Sequence, residues 1–271
     1  MKILRLLSIG DNCVDHYVEL GRRFPGGNAL NVAVYASRVP GVQADYVGAV
    51  GTDLNGGFVL DQIRAQGLDA GKVLQWQGET AVTTILIRNG ERVFAHYLEG
   101  VQKDAALPLQ ALPDPGGYDL IYFSIWGFGR EHIQRIRETS GALLSCDFSN
   151  QLDDPRTSVM PHLDYSFFSG RHLMEKGLDP EAKVRELKER TPGLVAMTLG
   201  EHGSLVYDGE TMYRGRAHPV EVVDTLGAGD SWIASFLCGR LKGESIEHSI
   251  KEGHRAAAET CRRLGAWGGE A

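Results

Sequence analysis

Val222-Val223-Asp224-Thr225-Leu226-Gly227-Ala228-Gly229-Asp230-Ser231 runs directly into the apolar-periodic stretch Trp232–Leu241. The pattern predicts a strand that ends, a patch of small residues, and a helix that begins. Backbone N–H groups of Gly227, Ala228 and Gly229 would then stand unscreened at a helix N-terminus, where aligned peptide dipoles favour an anion. Asp230 is the odd element. A carboxylate at a helix start is ordinarily an N-cap. Beside an anion nest it can instead take the proton of a hydroxyl that attacks a bound phosphate.

Outward from this stretch, short apolar runs alternate with helical patterns. Ile3–Ile9, Ala44–Val50, Leu120–Ser124, Ala142–Asp147, Tyr165–Ser169 and Leu194–Leu199 read as strands buried on both faces. Between them, Asn28 is placed to cap a helix over Ala29–Arg38. Gly67 ends one over Leu54–Gln66, and Asp179-Pro180 starts one that reaches Arg190; the region from Ile246 to Leu264 is helical again. Such alternation predicts an α/β fold, a doubly wound and mostly parallel sheet flanked by helices. Two segments interrupt it. Thr80–Leu98 reads as a hairpin turning at Asn89-Gly90, and a second hairpin turns at Asp208-Gly209. The first is either an edge ribbon of the main sheet or a projecting lid.

Composition narrows the function classes. Among 271 residues, 28 Lys and Arg against 35 Asp and Glu give a net charge of −7, without the basic footprint of a nucleic-acid-binding surface. No apolar run is long enough to span a membrane. Cys13, Cys146, Cys238 and Cys261 are scattered, with no zinc or disulfide spacing, so a reducing cytoplasm is the expected location. Glycine is the outlier, 34 of 271 or about twice typical usage, and marks turns and close backbone approaches. A Walker A loop is absent, and no G-x-G-x-x-G follows the first strand, which argues against a nicotinamide dehydrogenase.

Asp224-Thr225-Leu226-Gly227-Ala228-Gly229-Asp230 resembles the C-terminal signature of the ribokinase-like (phosphofructokinase-B) carbohydrate kinases. Three further stretches, in family order, resemble its other motifs: Pro25-Gly26-Gly27-Asn28-Ala29-Leu30-Asn31-Val32-Ala33, Gly48–Gly56, and Thr198-Leu199-Gly200-Glu201-His202-Gly203. The resemblance implies one ribokinase-like domain over residues 1–271, with lid segments at about 12–24 and 80–100. It implies ATP and Mg²⁺ as cofactors. Asp230 would be the catalytic base, with Gly227, Ala228 and Gly229 as the anion hole. Asp15 and Asn31 would bind sugar hydroxyls, and the Gly26-Gly27 backbone would let the sugar approach. Thr198, Gly200, Gly203 and Thr225, with Gly227 and Gly229, would contact ATP. Asp224 matches a loop that holds a monovalent cation such as K⁺. The family's usual N-x-x-E magnesium motif is missing, since the chain reads Ser169-Gly170-Arg171-His172-Leu173-Met174-Glu175; the Mg²⁺ site is therefore unknown.

Shorter strings resemble the fructosamine-kinase branch of that family: Gly10–Asp15, Tyr97–Val101, Ile125–Gly127, Asp147–Ser149 and Gly265-Ala266-Trp267. They imply phosphorylation of the 6-hydroxyl of a sugar amine, fructoselysine first. Asp11, Asp15 and Glu99 would face its ammonium groups, and Trp126 would supply an aromatic wall. Partners are thus a small sugar-amine substrate and ATP, with no nucleic acid or membrane; a homodimer through the lid is open. Other readings are a kinase of another small sugar or a nucleoside, or a non-catalytic binding member of the fold.

Overall fold

Strand and helix alternate as the periodicity predicts, and a computed structural model describes residues 2–88, 91–103, 106 and 108–268. In chain order the elements are β1 (Leu4–Ile9), β2 (Cys13–Tyr17), β3 (Arg22–Gly26), α1 (Asn28–Ser37), β4 (Val42–Val47), β5 (Ala49–Gly51), α2 (Leu54–Ala65), β6 (Leu74–Trp76), β7 (Val82–Arg88), β8 (Glu91–Leu98), β9 (Leu120–Ser124), α3 (Ile133–Thr139), β10 (Leu143–Asp147), β11 (Tyr165–Ser169), α4 (Arg171–Glu175), α5 (Pro180–Lys188), β12 (Leu194–Thr198), β13 (Ser204–Tyr207), β14 (Met212–Gly215), α6 (Ala228–Leu241) and α7 (Ile246–Thr260). The main sheet has the order β14-β13-β12-β11-β10-β9-β1-β4. Its strands from β4 to β12 are parallel, and the β13–β14 hairpin adds two antiparallel strands at one edge.

Helices cover both faces of this sheet, which is why its strands are apolar without alternation. Leu6, Leu120, Tyr122, Phe167 and Ala196 point to the side of α1, α2, α6 and α7, where they meet Ala33, Val59, Phe236 and Ile250. Their neighbours Leu7, Ile121, Phe123, Phe168 and Met197 point to the side of α3, α4 and α5, where Ile133, Leu173 and Val184 lie. The helix punctuation holds in two of the three places read. The Asp179 carboxylate accepts from the Glu181 N–H, Pro180 opens α5, and Gly67 (φ +76°) closes α2. Asn28, by contrast, does not cap α1. It is the first helical residue, after Gly27 at φ +104°, and the cap comes from elsewhere in the chain: Asp11 accepts from the N–H groups of Asn28 (2.8 Å) and Ala29 (3.2 Å).

Three other expectations are corrected. Ala44–Val50 is two strands, because at Gly48 a Cβ would lie 1.9 Å from the Tyr46 hydroxyl; the chain turns there and β5 pairs with β6 in a small separate sheet. Val222 and Val223 form no strand. They are half-exposed, and the Val223 N–H is bound to the Cys261 carbonyl just past α7 rather than to a sheet neighbour. The hairpin of β7 and β8 is not an edge ribbon of the main sheet. It builds a four-stranded sheet of order β3-β2-β7-β8 with the segment that follows β1. Its expected Asn89-Gly90 turn lies outside the described residues. This small sheet has its own apolar cluster of Tyr17, Phe24 and Ile85, against which Leu226 and Leu264 pack. Among the described residues no helix is long and apolar enough to cross a membrane, and all four cysteines are buried.

Candidate active site

The carboxyl ends of β1, β9, β10, β11 and β12 open onto one cavity of about 1140 Å³, between the main sheet and the small one. In an open α/β sheet this is the crevice where ligands bind. Each strand hands a polar residue to it as the chain leaves the sheet: Asp11 after β1, Trp126 after β9, Asp147 at the end of β10, Ser169 at the end of β11 and Thr198 at the end of β12. The small sheet contributes Cys13, Asp15, Thr83, His96 and Tyr97, and the loop before α6 with the helix's first two residues supplies Thr225 to Gly229.

Asp230 lies in the first turn of α6, 8% exposed, on the wall of this cavity. Burial pushes its carboxyl well above the usual carboxylate range, and the nearby charges of Asp147, Asp11 and Asp15 add to that. Donation from Asn31 Nδ2 to Asp230 Oδ2, at 2.7 Å, acts in the opposite sense. Of the three amides expected to face an anion, one is used by the chain itself. Gly227 occupies the left-handed region (φ +75°) and N-caps α6, but the Ala228 N–H turns back to the Thr225 carbonyl at 3.2 Å. Gly227 and Gly229 are therefore the amides left to face an anion. The two glycines differ in kind. A Cβ on Gly227 would meet Ala266 at 2.6 Å, whereas one on Gly229 would meet nothing within 4 Å.

Thr198, Gly200 and Gly203 line the same cavity as this stretch, together with Arg171, His218 and His254. Gly203 opens β13 at φ +95°, where a Cβ would strike the Gly215 carbonyl at 2.0 Å. Arg171 reaches the cavity rim, but Glu175 does not; it is ion-paired to Arg171 at 3.1 Å. His254 is bonded to Ser204 at 2.8 Å, and burial lowers it to about 4, so its imidazole is neutral near pH 7.

Asp11, Asp15 and Asp147 also lie on the wall, all buried. Burial raises Asp147 to about 6, and it raises Asp11 as well. Asp147 accepts from Asn28 Nδ2 (2.9 Å) and from the Ser149 N–H (2.8 Å). Ser149 is left-handed at φ 51°, unusual for a residue with a side chain, and its hydroxyl bonds the Trp126 indole at 3.1 Å. Trp126 is on the wall, but Arg156 already lies over its ring at 5.3 Å.

Several expected roles change. Glu99 is exposed and off the cavity wall, because the chain turns after β8 through Gly100 (φ +55°) to bind the Glu79 carbonyl. Gly26 is needed for Asp15: a Cβ there would lie 1.9 Å from the Asp15 carboxylate. Gly27 does line the cavity, yet its Cβ would strike the Asn12 backbone at 2.4 Å, so both glycines serve the protein's own packing first. Asn31 lines the cavity too, but its amide is engaged by Asp230 and by the Trp267 indole. Asp224 takes bonds from the Tyr17 hydroxyl, the Gly265 N–H (3.1 Å) and the Leu226 N–H (3.0 Å), so its carboxylate is used to tie chain segments together and no cation is assigned to it. Sequence reading quoted Ser149 in a string without giving it a role, and missed His218 and His254, which sit in no motif.

Among the described residues no group of three or more His, Cys, Asp or Glu side chains has metal-binding geometry. The donor set suits an Mg²⁺ carried on nucleotide phosphates and waters, not one held in a protein cage.

Known proteins resemble the chain over nearly its whole length. Fructoselysine 6-kinase of Escherichia coli (strain K12) is 38% identical over 97% of this chain and 99% of its own. Fructosamine kinase FrlD of Bacillus subtilis (strain 168) is 32% identical over 98% of this chain and 93% of its own. In three dimensions, ribokinase from Cryptococcus neoformans var. grubii serotype A, solved with ADP, superposes with a TM-score of 0.78 at 21% identity, covering 97% of this chain and 95% of that one. The model of the pfkB family of carbohydrate kinases matches residues 7–269. With that match over the same motifs that build the cavity, the chain belongs to the pfkB family of carbohydrate kinases.

Proposed function

We propose that the chain transfers the γ-phosphate of ATP to the 6-hydroxyl of a fructosamine, with fructoselysine as the substrate. The observation that carries this reading is the place of Asp230. It lies on the cavity wall directly after the Gly227–Gly229 turn, and close enough to Asp11, Asp15 and Asp147 for their charges to act on it. The identity to two fructosamine-acting kinases supports the substrate class.

In this reading the sugar lies along Asp11, Asp15 and Asp147 with its ammonium matched by their charge, and Trp126 flanks it. The ATP phosphates lie along Thr198, Gly200, Gly203, Thr225 and the Gly227–Gly229 turn. Asp230 accepts the O6 proton as the O6–phosphorus bond forms and the bond from γ-phosphorus to the bridging oxygen breaks, with ADP as the leaving group. The amides of Gly227 and Gly229 hold the developing charge on the transferred group. When bound, Mg²⁺ neutralises phosphate charge. The small sheet shields the reacting atoms from water, the value of a lid to a kinase. We place the reaction in the cytoplasm, in keeping with the scattered spacing of the four cysteines in the sequence. A homodimer through the lid is part of the same proposal: Val18, Leu20 and Phe94 are 45, 40 and 58% exposed there, and a monomer in sedimentation at working concentration removes it.

An ADP-release assay across fructoselysine, other fructosamines, fructose, ribose and adenosine tests the substrate. Fructoselysine is expected to give the highest kcat/KM; clear preference for fructose or adenosine defeats the assignment. For the base, Asp230→Asn is expected to lower kcat by about 10²–10⁴-fold or more while ATP still binds. Turnover near that of the parent protein would refute it.

A further inference from the structure

Trp267 touches no cavity wall, yet it stands one residue from the catalytic carboxylate. Its indole Nε1–H donates to Asn31 Oδ1 at 2.6 Å, and Asn31 Nδ2 donates to Asp230 Oδ2 at 2.7 Å. The three residues are 3, 3 and 8% exposed, so water does not compete for these bonds. A buried carboxamide can be turned end for end at little steric cost. Against a carboxylate, one orientation offers a donor and the other offers an oxygen. The indole N–H is a donor only, so it can pair with nothing but Oδ1. Whichever way the carboxamide would otherwise lie, the tryptophan selects the orientation that turns NH₂ toward Asp230.

We propose that Trp267 is a positioning residue for phosphoryl transfer: by fixing the Asn31 carboxamide it keeps Asp230 in the ionised form that can accept the O6 proton. This rests on Asp230 being the base. The environment makes the help necessary. Burial and three neighbouring acids favour the neutral carboxyl, and the Asn31 donor is the side-chain bond that opposes them. With the carboxamide reversed, oxygen would face oxygen. Asp230 would then take up a proton to make a hydrogen bond, and it could not take another from the sugar. The indole is itself held in place. The Tyr35 hydroxyl donates to the Ala266 carbonyl, Arg38 donates to the Trp267 carbonyl at 3.1 Å, and the Gly265 N–H binds Asp224. The 265–267 segment is thus strapped to α1, which carries Asn31, and to the loop that leads into α6, which carries Asp230.

Trp267→Phe removes the donor and keeps an aromatic ring. Its kcat is expected to lose activity mostly at low pH, the acid limb moving up by about one unit, or about tenfold in rate below the limb. Rates should converge with the parent at alkaline pH, and KM for ATP should stay within about twofold. Asn31→Leu should shift the limb at least as far, and Trp267→Phe added to it should shift it no further, since both act through one contact. A limb that does not move, or a loss uniform across pH with a lowered Tm, would mean that Trp267 only packs, and would overturn the proposal. Asp230→Asn serves as the control: if it turns over normally, the base assignment falls and this inference with it, whereas an inactive Asp230→Asn beside an unmoved Trp267→Phe limb removes this inference alone. If Phe at 267 does not fold, the benzothiophene analogue of tryptophan placed at that position keeps the ring shape without the N–H and is read the same way.

Discussion

Gly229 separates what the fold needs from what the ligand needs. Most glycines around the cavity are forced by the protein itself. Gly27 and Gly203 have positive φ and backbone where a Cβ would go, and Gly26 makes room for the Asp15 carboxylate. Gly229 has neither constraint, and as a helical residue glycine costs about 0.5–1 kcal/mol relative to alanine. In the proposed reaction its use is clearance for a phosphate. Gly229→Ala is therefore expected to leave Tm unchanged or raise it, while kcat/KM for ATP falls at least about tenfold, a 1.4 kcal/mol effect. A variant that is fully active would remove Gly229 from the anion site.

At the scale of elements, the parallel strands were legible because burial on both faces leaves continuous apolar runs, as at Leu120–Ser124 and Tyr165–Ser169. The helix starting at Asp179-Pro180 was legible because its cap is local. The cap of α1 was not, since it comes from Asp11, seventeen residues before the first amide it binds. Nor was the absence of a strand at Val222-Val223: valine favours strands, but tertiary contact with the end of α7 decides the backbone there. Site motifs gave residue identities and not partners, so Asn31 and Asp224 were assigned to ligands although their polar atoms are engaged by the protein. The Asp224 contact joins two elements. Tyr17 of β2 donates to it, and Leu226, two residues on, packs against the small sheet. Tyr17→Phe should cost about 1.5–3 kcal/mol in denaturant unfolding, as expected for a hydrogen bond to a charged group. It should also raise KM for ATP, because the loop it anchors carries the nest. Unchanged unfolding would show the tie to be incidental.

Across the whole molecule, stability is traded against an acidic cavity. Asp147 titrates near 6 in the folded protein because it is buried, against 3.8 for the free carboxyl. A carboxyl raised on folding binds its proton more tightly in the native state. Its contribution is complete below pH ~4 and is lost as pH rises through ~6, a cost of up to about 3 kcal/mol at neutral pH. Asp147→Asn does not titrate. Its Tm relative to the parent should climb between pH 4 and pH 7.5, while fructoselysine turnover falls; a constant Tm difference would contradict the buried-charge account. On the proposed substrate, holding such a charge for a cationic group is the kind of stability sacrificed for function that natural sites show.

The bond between Asn31 and Asp230 closes 199 positions of chain. Contacts so distant in sequence cost the most loop-closure entropy and form slowly. During refolding, helices and neighbouring strand pairs can therefore be in place while the two halves of the reaction centre are still apart. On the proposed assignment of Asp230, catalytic competence is the last property such a chain recovers.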